Sequence, residues 1–392
     1  MKATQRTSYP WKFGVFLGMY YMANGVYQGY ASKYFESKGL TTMQMSIILA
    51  FTPLIAIVMQ PVWGAVGDRA KRRNTVLLML TAVSSILVLL YRISDAFWYL
   101  LPMSMLFSAL YTSIQPMGDS IILEDLTPKR LAFGPLRLFG TYAFAVTNLI
   151  WGLILSPERM NWIVYLTSFM LMITVAAVFV LPPTEGHQSK GKKMNILAVL
   201  KVPHMAGLLL MLMLLQLTYG YFYSFYSIFY TSLPGSNGVM LGICYFLSAV
   251  SETPFLLNED KLFKKLGAGK LMVISAVVLT LRWTILGFTN NPYVAMASQV
   301  LHGWGFIVMT VSTSKFVAKV IPDELKASGQ MALSVVGFGI ARAFGILGGG
   351  AVASVTGSVQ NGFRLTACVA LITLLVFAPK YLRMKPLNGQ DE

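Results

Sequence analysis

Long apolar runs recur from one end of this sequence to the other. Twelve predominantly apolar stretches follow one another, and each is long enough as a helix to cross a hydrocarbon core of about 30 Å. They lie roughly at 13–35, 43–66, 74–93, 97–123, 135–156, 160–181, 205–231, 239–258, 270–288, 292–319, 327–354 and 359–380. Only 12% of the residues are charged, against about 25% in soluble domains. The sequence therefore predicts an all-α membrane protein with twelve transmembrane helices.

The formal net charge of +16 comes from basic residues that gather at every second connection between the runs. Such alternation marks the cytoplasmic side of a membrane, whereas a nucleic-acid surface would collect its bases on one patch. The opposite connections show only Lys38, Arg92 and Arg159 clearly. We therefore expect both termini to be cytoplasmic, in the plasma or inner membrane of a cell, and no nucleic-acid partner.

Two cysteines occur, Cys244 and Cys368, and both fall inside predicted runs. They offer neither a disulfide framework nor a thiolate metal site. The three histidines of the chain form no metal-spaced cluster and no catalytic constellation, and no nucleotide-binding loop is present. We expect no cofactor, no metal and no enzymatic activity.

The longest polar connection separates two sets of six runs. It spans 182–204 and contains Pro182-Pro183 and several lysines. A weak internal echo supports two halves, because Asp68-Arg-Ala-Lys-Arg-Arg73 follows the second run and Asp260-Lys-Leu-Phe-Lys-Lys265 follows the eighth. Paired six-helix halves are typical of transporters, with the solute site between them near the bilayer midplane. The predicted domains are an N-terminal bundle (1–181), a cytoplasmic linker (182–204) and a C-terminal bundle (205–392).

Charged side chains inside the apolar runs carry the functional prediction. They are Asp119, Arg137, Glu252, Arg282 and Arg342, with His302 as a titratable sixth. An ionised group at the centre of a membrane helix costs about 2.5–3.5 kcal/mol, so these residues should pair or face a wet cavity. Further polar and aromatic residues form walls around the same predicted cavity. These candidate cavity-lining residues are Asn24, Tyr27, Asn148, Tyr219 and Tyr223.

The loop Gly64-Ala-Val-Gly-Asp-Arg-Ala-Lys-Arg-Arg73 resembles the loop motif of the major facilitator superfamily, with Lys71 in place of its second glycine. The resemblance implies two pseudo-symmetric six-helix bundles and a gate-stabilising charge network of Asp68, Arg69 and Arg72. The alternative is a basic loop that only fixes the membrane topology, although that role requires no aspartate.

A narrower resemblance covers nearly the whole chain. Phe133-Gly-Pro-Leu-Arg-Leu-Phe-Gly140, with an acid eighteen residues before its arginine, is similar to the junction of helices four and five in lactose-permease-like sugar/proton symporters. Ser251-Glu-Thr-Pro254, Leu281-Arg-Trp283 and Leu301-His-Gly303 resemble the wider branch that includes phenylpropionate-type and nucleoside permeases. Its members work as monomers, which implies a monomer here.

The resemblance implies roles at the matching positions. Asp119 and Arg137 would bind solute hydroxyls, Phe144 would stack on the solute ring, and Asn148 lies on the same face. Glu252 would bind solute or carry the proton, and Arg282 and His302 would complete the charged network of the second half. Two positions depart from the lactose-type pattern, because Gly305 replaces its protonated glutamate and 220–223 lacks its aspartates.

These departures leave the proton carrier open. Burial disfavours the charged form of a carboxyl group, which makes Glu252 the first candidate and Asp119 the second. Other interpretations remain for individual residues. Asp119 and Arg137 could form a structural ion pair, His302 could be a neutral core histidine, the tyrosines could only pack, and Arg342 could be structural.

The sequence therefore predicts a secondary transporter that moves a small polar solute together with a proton by alternating access. A sugar or oligosaccharide leads, with a nucleoside or an aromatic acid as alternatives. The acid and base favour hydroxyls, whereas an anionic aromatic solute would find counter-ions in the buried arginines. A membrane sensor that transports nothing is the alternative of a different class.

Overall fold

In the computed structural model, which describes residues 10–129, 131, 133–154, 156–186, 196–322 and 325–384, every regular element is a helix. The α-helices are α1 (Trp11–Ser37), α2 (Thr42–Arg69), α3 (Arg73–Leu87), α4 (Phe97–Leu126), α5 (Gly134–Ile154), α6 (Trp162–Phe179), α7 (Ile196–Leu200), α8 (Met205–Ser232), α9 (Gly238–Val250), α10 (Thr253–Phe288), α11 (Pro292–Ala297), α12 (His302–Val320), α13 (Lys326–Ala332), α14 (Ala341–Thr356) and α15 (Val359–Tyr381). Short 3-10 segments extend α3 through Val88–Arg92 and join α11 to α12 through Ser298–Leu301, and a π-helical segment, Leu333–Ile340, joins α13 to α14.

Within the described residues, nine helical stretches have both the length and the apolar composition of a membrane span. One of them, Gly238–Phe288, is 51 residues long, which at 1.5 Å per residue would be far longer than a bilayer is thick. It reverses at Gly267, whose φ of 73° and ψ of 168° only glycine adopts readily. Helices α1 and α5, of 27 and 21 residues, are also long enough to cross. The predicted twelve-helix membrane fold is confirmed.

The packing of the helices divides them into two sets of six. In the first set, α1 packs on α5 and α6, and α4 packs on α2 and α3. In the second set, α10 packs on α12 and α15, and α8 packs on α14 and α15. The sets meet where α2 contacts α14, α5 contacts α9 and α1 contacts α8. Exchanging the two halves maps the α2–α14 contact onto the α9–α5 contact, as a pseudo-twofold arrangement requires.

Large apolar side chains cover the outer surface of the bundle. They include Val58, Leu153, Phe169, Phe288, Leu375 and Val376, each more than half exposed. Polar side chains cap the first turns of several helices. Thr41 and Gln44 form a reciprocal capping box at the start of α2, and the Asn237 side chain accepts from the Met240 amide at 2.9 Å. An apolar belt with polar ends matches a bilayer and its two interfaces.

Hydrogen bonds join the halves near the end at which α1 and α8 finish. The Tyr245 hydroxyl donates to the Gly29 carbonyl at 2.8 Å, and the Ser32 and Ser227 hydroxyls lie 2.9 Å apart. Nearby, a methyl group on Gly152 would lie 2.5 Å from the Gly238 carbonyl oxygen, so α5 and α9 are in backbone contact. The two bundles are therefore closed against each other at the end opposite the described chain ends.

The predicted linker begins as an ordered segment against the α2–α3 turn. The Asn74 side chain donates to the Pro182 carbonyl and accepts from the Thr184 amide, at 3.0 and 2.9 Å, and the Arg73 amide donates to the Thr184 carbonyl. The middle of the linker, 187–195, and the predicted terminal segments 1–9 and 385–392 lie outside the described residues.

Candidate functional site

Asp119 and Arg137 lie on adjacent elements of the first half but do not form an ion pair. The Asp119 Oδ2 atom accepts from Gln115 at 3.5 Å, and its Oδ1 atom is buried with no hydrogen-bond partner. The Arg137 guanidinium lies 4.3 Å from the ring centroid of Tyr21, and its Nη1 atom is also buried without a partner. Each half-satisfied group retains hydrogen-bonding capacity in the bundle interior. A structural ion pair is therefore not what the structure contains.

Phe144 and Asn148 follow Arg137 on α5 at the helical spacing that the sequence predicts. The Asn148 amide donates to the Phe144 carbonyl at 2.9 Å, and its Oδ1 atom is buried without a partner. A methyl group on Gly29 would lie 2.7 Å from that oxygen, so α1 packs directly on it. Asn148 thus occupies the tight contact between α1 and α5, whereas Phe144 is partly exposed.

Asn24 and Tyr27 belong to a polar and aromatic cluster between α1 and α4. The Tyr111 hydroxyl donates to Asn24 Oδ1 at 2.9 Å, and the Tyr27 hydroxyl lies 3.2 Å from that of Tyr91. Both predicted residues are less than one tenth exposed. The side-chain oxygen of Asn24 and the hydroxyl of Tyr27 thus have protein partners in this conformation.

Tyr219 and Tyr223 stack on each other along α8, with ring centroids 5.7 Å apart. The Tyr219 hydroxyl is buried without a partner, and the Tyr223 hydroxyl lies 3.4 Å from His302 Nε2. A methyl group on Gly305 would lie 2.9 Å from the Tyr219 hydroxyl and 2.5 Å from Leu279. A glutamate at position 305 would therefore displace this packing, which explains the departure from the lactose-type pattern.

Glu252, His302 and Arg282 form one connected network in the second half. Arg282 is fully buried, and one of its Nη atoms donates to His302 Nδ1 at 2.9 Å. Because arginine can only donate, Nδ1 of His302 is an acceptor and the proton of the neutral ring is on Nε2. That Nε2 atom lies 3.5 Å from Glu252 Oε1. Arg282 therefore fixes a neutral tautomer of His302 that donates toward Glu252.

Gln299 completes this network, although the sequence did not predict it as a site residue. Its side-chain oxygen accepts from Arg282 and from the Ser248 hydroxyl, the latter at 3.1 Å. Its amide nitrogen donates to the Ala295 carbonyl at 2.9 Å. The rings of Phe222 and Trp283 lie 4.3 and 4.9 Å from the Arg282 guanidinium. A neutral glutamine and two aromatic faces thus hold a buried cation, an arrangement with no sequence signature.

Glu252 also connects the two halves. It lies at the two-residue junction of α9 and α10, within the helical stretch Gly238–Phe288, and its side chain is 14% exposed. It interacts electrostatically with Arg137 on the opposite half. The α5–α9 contact places these groups on either side of the boundary between the bundles.

Charged residues at the α2–α3 turn form a network, but its base differs from the prediction. Arg73 binds Asp68 and, at 2.9 Å, Glu124 at the end of α4. Arg69 and Arg72, the predicted gating bases, have exposed side chains. Arg73 begins α3 and contacts both acids. A second network, Lys315 with Glu259 and Asp260, lies in the other half.

The comparisons with known proteins agree with this architecture. The sequence profile described as "MFS_1 like family" matches residues 10–365. The chain is 22% identical over 391 residues to "Maltose permease" from Geobacillus stearothermophilus, covering 96% of each protein, and 22% identical over 318 residues to "Uncharacterized transporter YwbF" from Bacillus subtilis (strain 168), covering 80% and 79%.

The solved structure titled "Crystal structure of nucleoside transporter NupG (D323A mutant)" has the same fold, with a TM-score of 0.85 at 17% identity over 95% of this chain and 99% of that one. The family match covers most of the sequence, and the matched proteins are transporters, not enzymes. The chain therefore belongs to the MFS_1-like family of the major facilitator superfamily and is a multi-pass membrane transporter of small solutes.

Proposed function

We propose that this transporter is a proton-coupled symporter for a small ring-bearing solute with hydroxyl groups, a sugar first and a nucleoside second. The observation that carries the proposal is the pair of unsatisfied buried atoms, Asp119 Oδ1 and Arg137 Nη1. A buried polar atom without a partner costs about 1–3 kcal/mol. A solute hydroxyl can donate to the carboxylate and accept from the guanidinium, which removes both costs in the bound state.

Phe144 supports a ring-bearing solute, because it is partly exposed about two turns beyond Arg137 on the same helix. Asn24, Tyr27, Asn148, Tyr219 and Tyr223 form the polar and aromatic wall of the same proposed site. The names of two matched proteins, a maltose permease and a nucleoside transporter, point to the same two solute classes.

Glu252 is the proposed proton carrier. Its carboxyl group is partly exposed, faces the Nε2–H of His302 and interacts with Arg137 across the boundary between the halves. Arg282 and His302 are positioning residues in this scheme, because Arg282 holds the histidine in one tautomer. Protonation removes the negative charge of Glu252 and so weakens its attraction for Arg137. The proton therefore changes the relative stability of the two arrangements of the bundles.

We propose the remaining architecture on the same basis. Residues 1–181 and 205–392 form the moving bundles, 182–204 is a cytoplasmic linker, and both termini face the cytoplasm of a cell whose plasma or inner membrane holds the protein as a monomer. The gate charges are Asp68, Arg73 and Glu124. The positive-inside distribution of lysines and arginines supports the orientation.

The test is a thermal-shift screen of the purified chain against sugars, nucleosides and aromatic acids, followed by uptake into sealed vesicles. Arg137→Ala should abolish binding and uptake while leaving the circular dichroism spectrum unchanged. Normal uptake by this variant would show that the site is elsewhere, and no flux of any bound solute would favour a sensor.

A further inference from the structure

One eight-residue sequence pattern occurs twice, once in each half. Phe133-Gly-Pro-Leu-Arg-Leu-Phe-Gly140 and Phe338-Gly-Ile-Ala-Arg-Ala-Phe-Gly345 share the pattern Phe-Gly, two residues, Arg, one residue, Phe-Gly. The two arginines, Arg137 and Arg342, are 205 positions apart. The first copy begins α5 and the second spans the junction of the π-helical segment and α14. These helices correspond when the pseudo-symmetric halves are exchanged.

The two copies also have equivalent surroundings. The second phenylalanines, Phe139 and Phe344, are 56% and 63% exposed, so both lie on the outside of the bundle. A methyl group on Gly140 would meet a side chain of α1, and one on Gly345 would meet the backbone of α8, the corresponding first helix of its half. Each copy thus presents its glycine to the first helix and its arginine to the interior.

Both arginines lie over a tyrosine of that first helix. Arg137 lies over Tyr21 of α1 at 4.3 Å, and Arg342 lies over Tyr223 of α8 at 5.2 Å. The tyrosines are 202 positions apart, close to the separation of the arginines. Gly220 explains the second contact, because a side chain there would strike the backbone of Arg342. The close crossing of α8 and α14 brings Arg342 beside Tyr223, one turn along.

Arg342 retains hydrogen-bond donors that no group in the described part of the chain accepts from. Its Nε atom donates to Gln216 at 3.0 Å, and the rings of Phe306 and Phe338 lie 5.7 and 5.1 Å from the guanidinium. Among the described residues no acid pairs with it, and the side chain is partly exposed. Its two Nη groups therefore form a free planar fork, which suits a carboxylate.

The formal charges of the interior point to an anionic solute. Three guanidinium groups, of Arg137, Arg282 and Arg342, stand against two carboxyl groups, of Asp119 and Glu252. Protonation of either carboxyl group raises the net positive charge from one to two, and a solute with one negative charge restores it to one. The proton-loaded, solute-loaded interior then carries the same charge as the empty interior, which avoids the cost of an added buried charge.

We propose that Arg342 is a second solute-binding arginine, the counterpart of Arg137, and that it binds a carboxylate of the solute while the Asp119–Arg137 side binds its hydroxyls. The inference rests on the proposed function, because it places a second contact in the same transport site. The solute class is a monovalent carboxylic acid on a ring that also carries hydroxyl groups, either a sugar acid or a hydroxylated aromatic acid.

Matched pairs of probes test this site with the full chain in detergent. Binding is measured by calorimetry at constant ionic strength for glucuronate against glucose and for 3-(4-hydroxyphenyl)propanoate against 3-(4-hydroxyphenyl)propan-1-ol. We expect one acid, sugar or aromatic, to bind at least about tenfold more tightly than its neutral partner, since a charge-assisted hydrogen bond contributes about 1.5–3 kcal/mol. The pair that shows the difference identifies the source of the carboxylate.

Arg342→Gln should weaken binding of the acid at least about tenfold and leave the neutral partner unchanged. Arg342→Lys keeps the charge without the fork and should give an intermediate loss, which separates lost recognition from misfolding. Arg364→Gln is the matched control, because Arg364 also lies over a phenylalanine, Phe288, but at the exposed end of α15. It should bind both probes as the unmodified chain does.

Equal affinities within both pairs, or an Arg342→Gln variant that binds the acid normally, would overturn the inference. Binding of neutral sugars or nucleosides alone would overturn it and leave the proposed function intact. Arg137→Ala distinguishes the two proposals further, because it should weaken the acid and its neutral partner alike. If no probe, sugar or nucleoside binds, both proposals fail.

Discussion

The buried Arg282 offers a quantitative test of the network in the second half. Replacing Gln299 by leucine removes the oxygen that accepts from Arg282 and leaves a fully buried cation with His302 as its remaining hydrogen-bond acceptor. Losing a hydrogen bond to a charged group costs about 1.5–3 kcal/mol. The lost bond from the Gln299 amide to the Ala295 carbonyl adds about 1 kcal/mol. We therefore expect Gln299→Leu to lower the free energy of unfolding by about 2.5–4 kcal/mol.

The double variant Arg282→Met/Gln299→Leu should recover about 2 kcal/mol of that loss, because an apolar pair replaces a cation that lacks its acceptor. The free energies come from equilibrium unfolding with sodium dodecyl sulfate in detergent micelles, followed by circular dichroism. Gln360→Leu is the control, since Gln360 donates to the Leu286 and Thr289 carbonyls away from Arg282. The loss of unfolding free energy in Gln360→Leu should add to that in Arg282→Met when the two changes are combined. If the losses of unfolding free energy in Arg282→Met and Gln299→Leu also added in their double variant, Arg282 would not depend on Gln299.

Three further changes address the rest of the site. Gly242→Leu should separate α5 from α9, because even a methyl group at position 242 would lie 2.6 Å from the Asn148 carbonyl oxygen. The separation should appear as faster thiol labelling of a cysteine introduced at the closed end of the bundles. Phe144→Ala should weaken solute binding about tenfold while Phe144→Trp retains it, since a ring contact contributes about 0.5–1.5 kcal/mol beyond its area; equal affinities would remove Phe144 from the site. Arg73→Gln should cost less than about 1 kcal/mol of unfolding free energy, because Asp68 and Glu124 are about one third exposed; a loss above about 2 kcal/mol would mean a structural role.

The helices and their number could be predicted because bilayer thickness fixes the length of an apolar run, and that constraint acts on each run separately. The inward-facing charges could also be found, since an ionised residue in lipid is costly. The reversal at Gly267 fits the same logic, because a helix of 51 residues cannot span a membrane once.

Contacts between helices could not be predicted from single runs. The spacing of Asp119 and Arg137 suggests a pair, yet Tyr21 and Gln115 occupy the space around them. Arg73, not its neighbours, reaches Glu124 because α3 begins at that residue. Gln299 carries no charge and no motif, so its role depends wholly on where the Ser298–Leu301 segment places it.

The repeated eight-residue pattern is different, because it was readable in the sequence. Its second copy also has an acid, Glu324, eighteen residues before its arginine, which is the separation of Asp119 from Arg137 in the first copy. The equivalence becomes clear once both arginines are seen over tyrosines of corresponding helices.

Gradient-driven uptake in proteoliposomes tests the central claim most directly. A solute selected by the binding screen is followed with an inside-alkaline gradient of one pH unit, and one coupled proton supplies about 1.4 kcal/mol, enough for roughly tenfold accumulation. The account predicts that accumulation for the unmodified chain. It predicts equilibration without accumulation for Glu252→Gln, with solute binding retained. Tenfold accumulation by Glu252→Gln, or uptake by the unmodified chain that ignores the gradient, would contradict it.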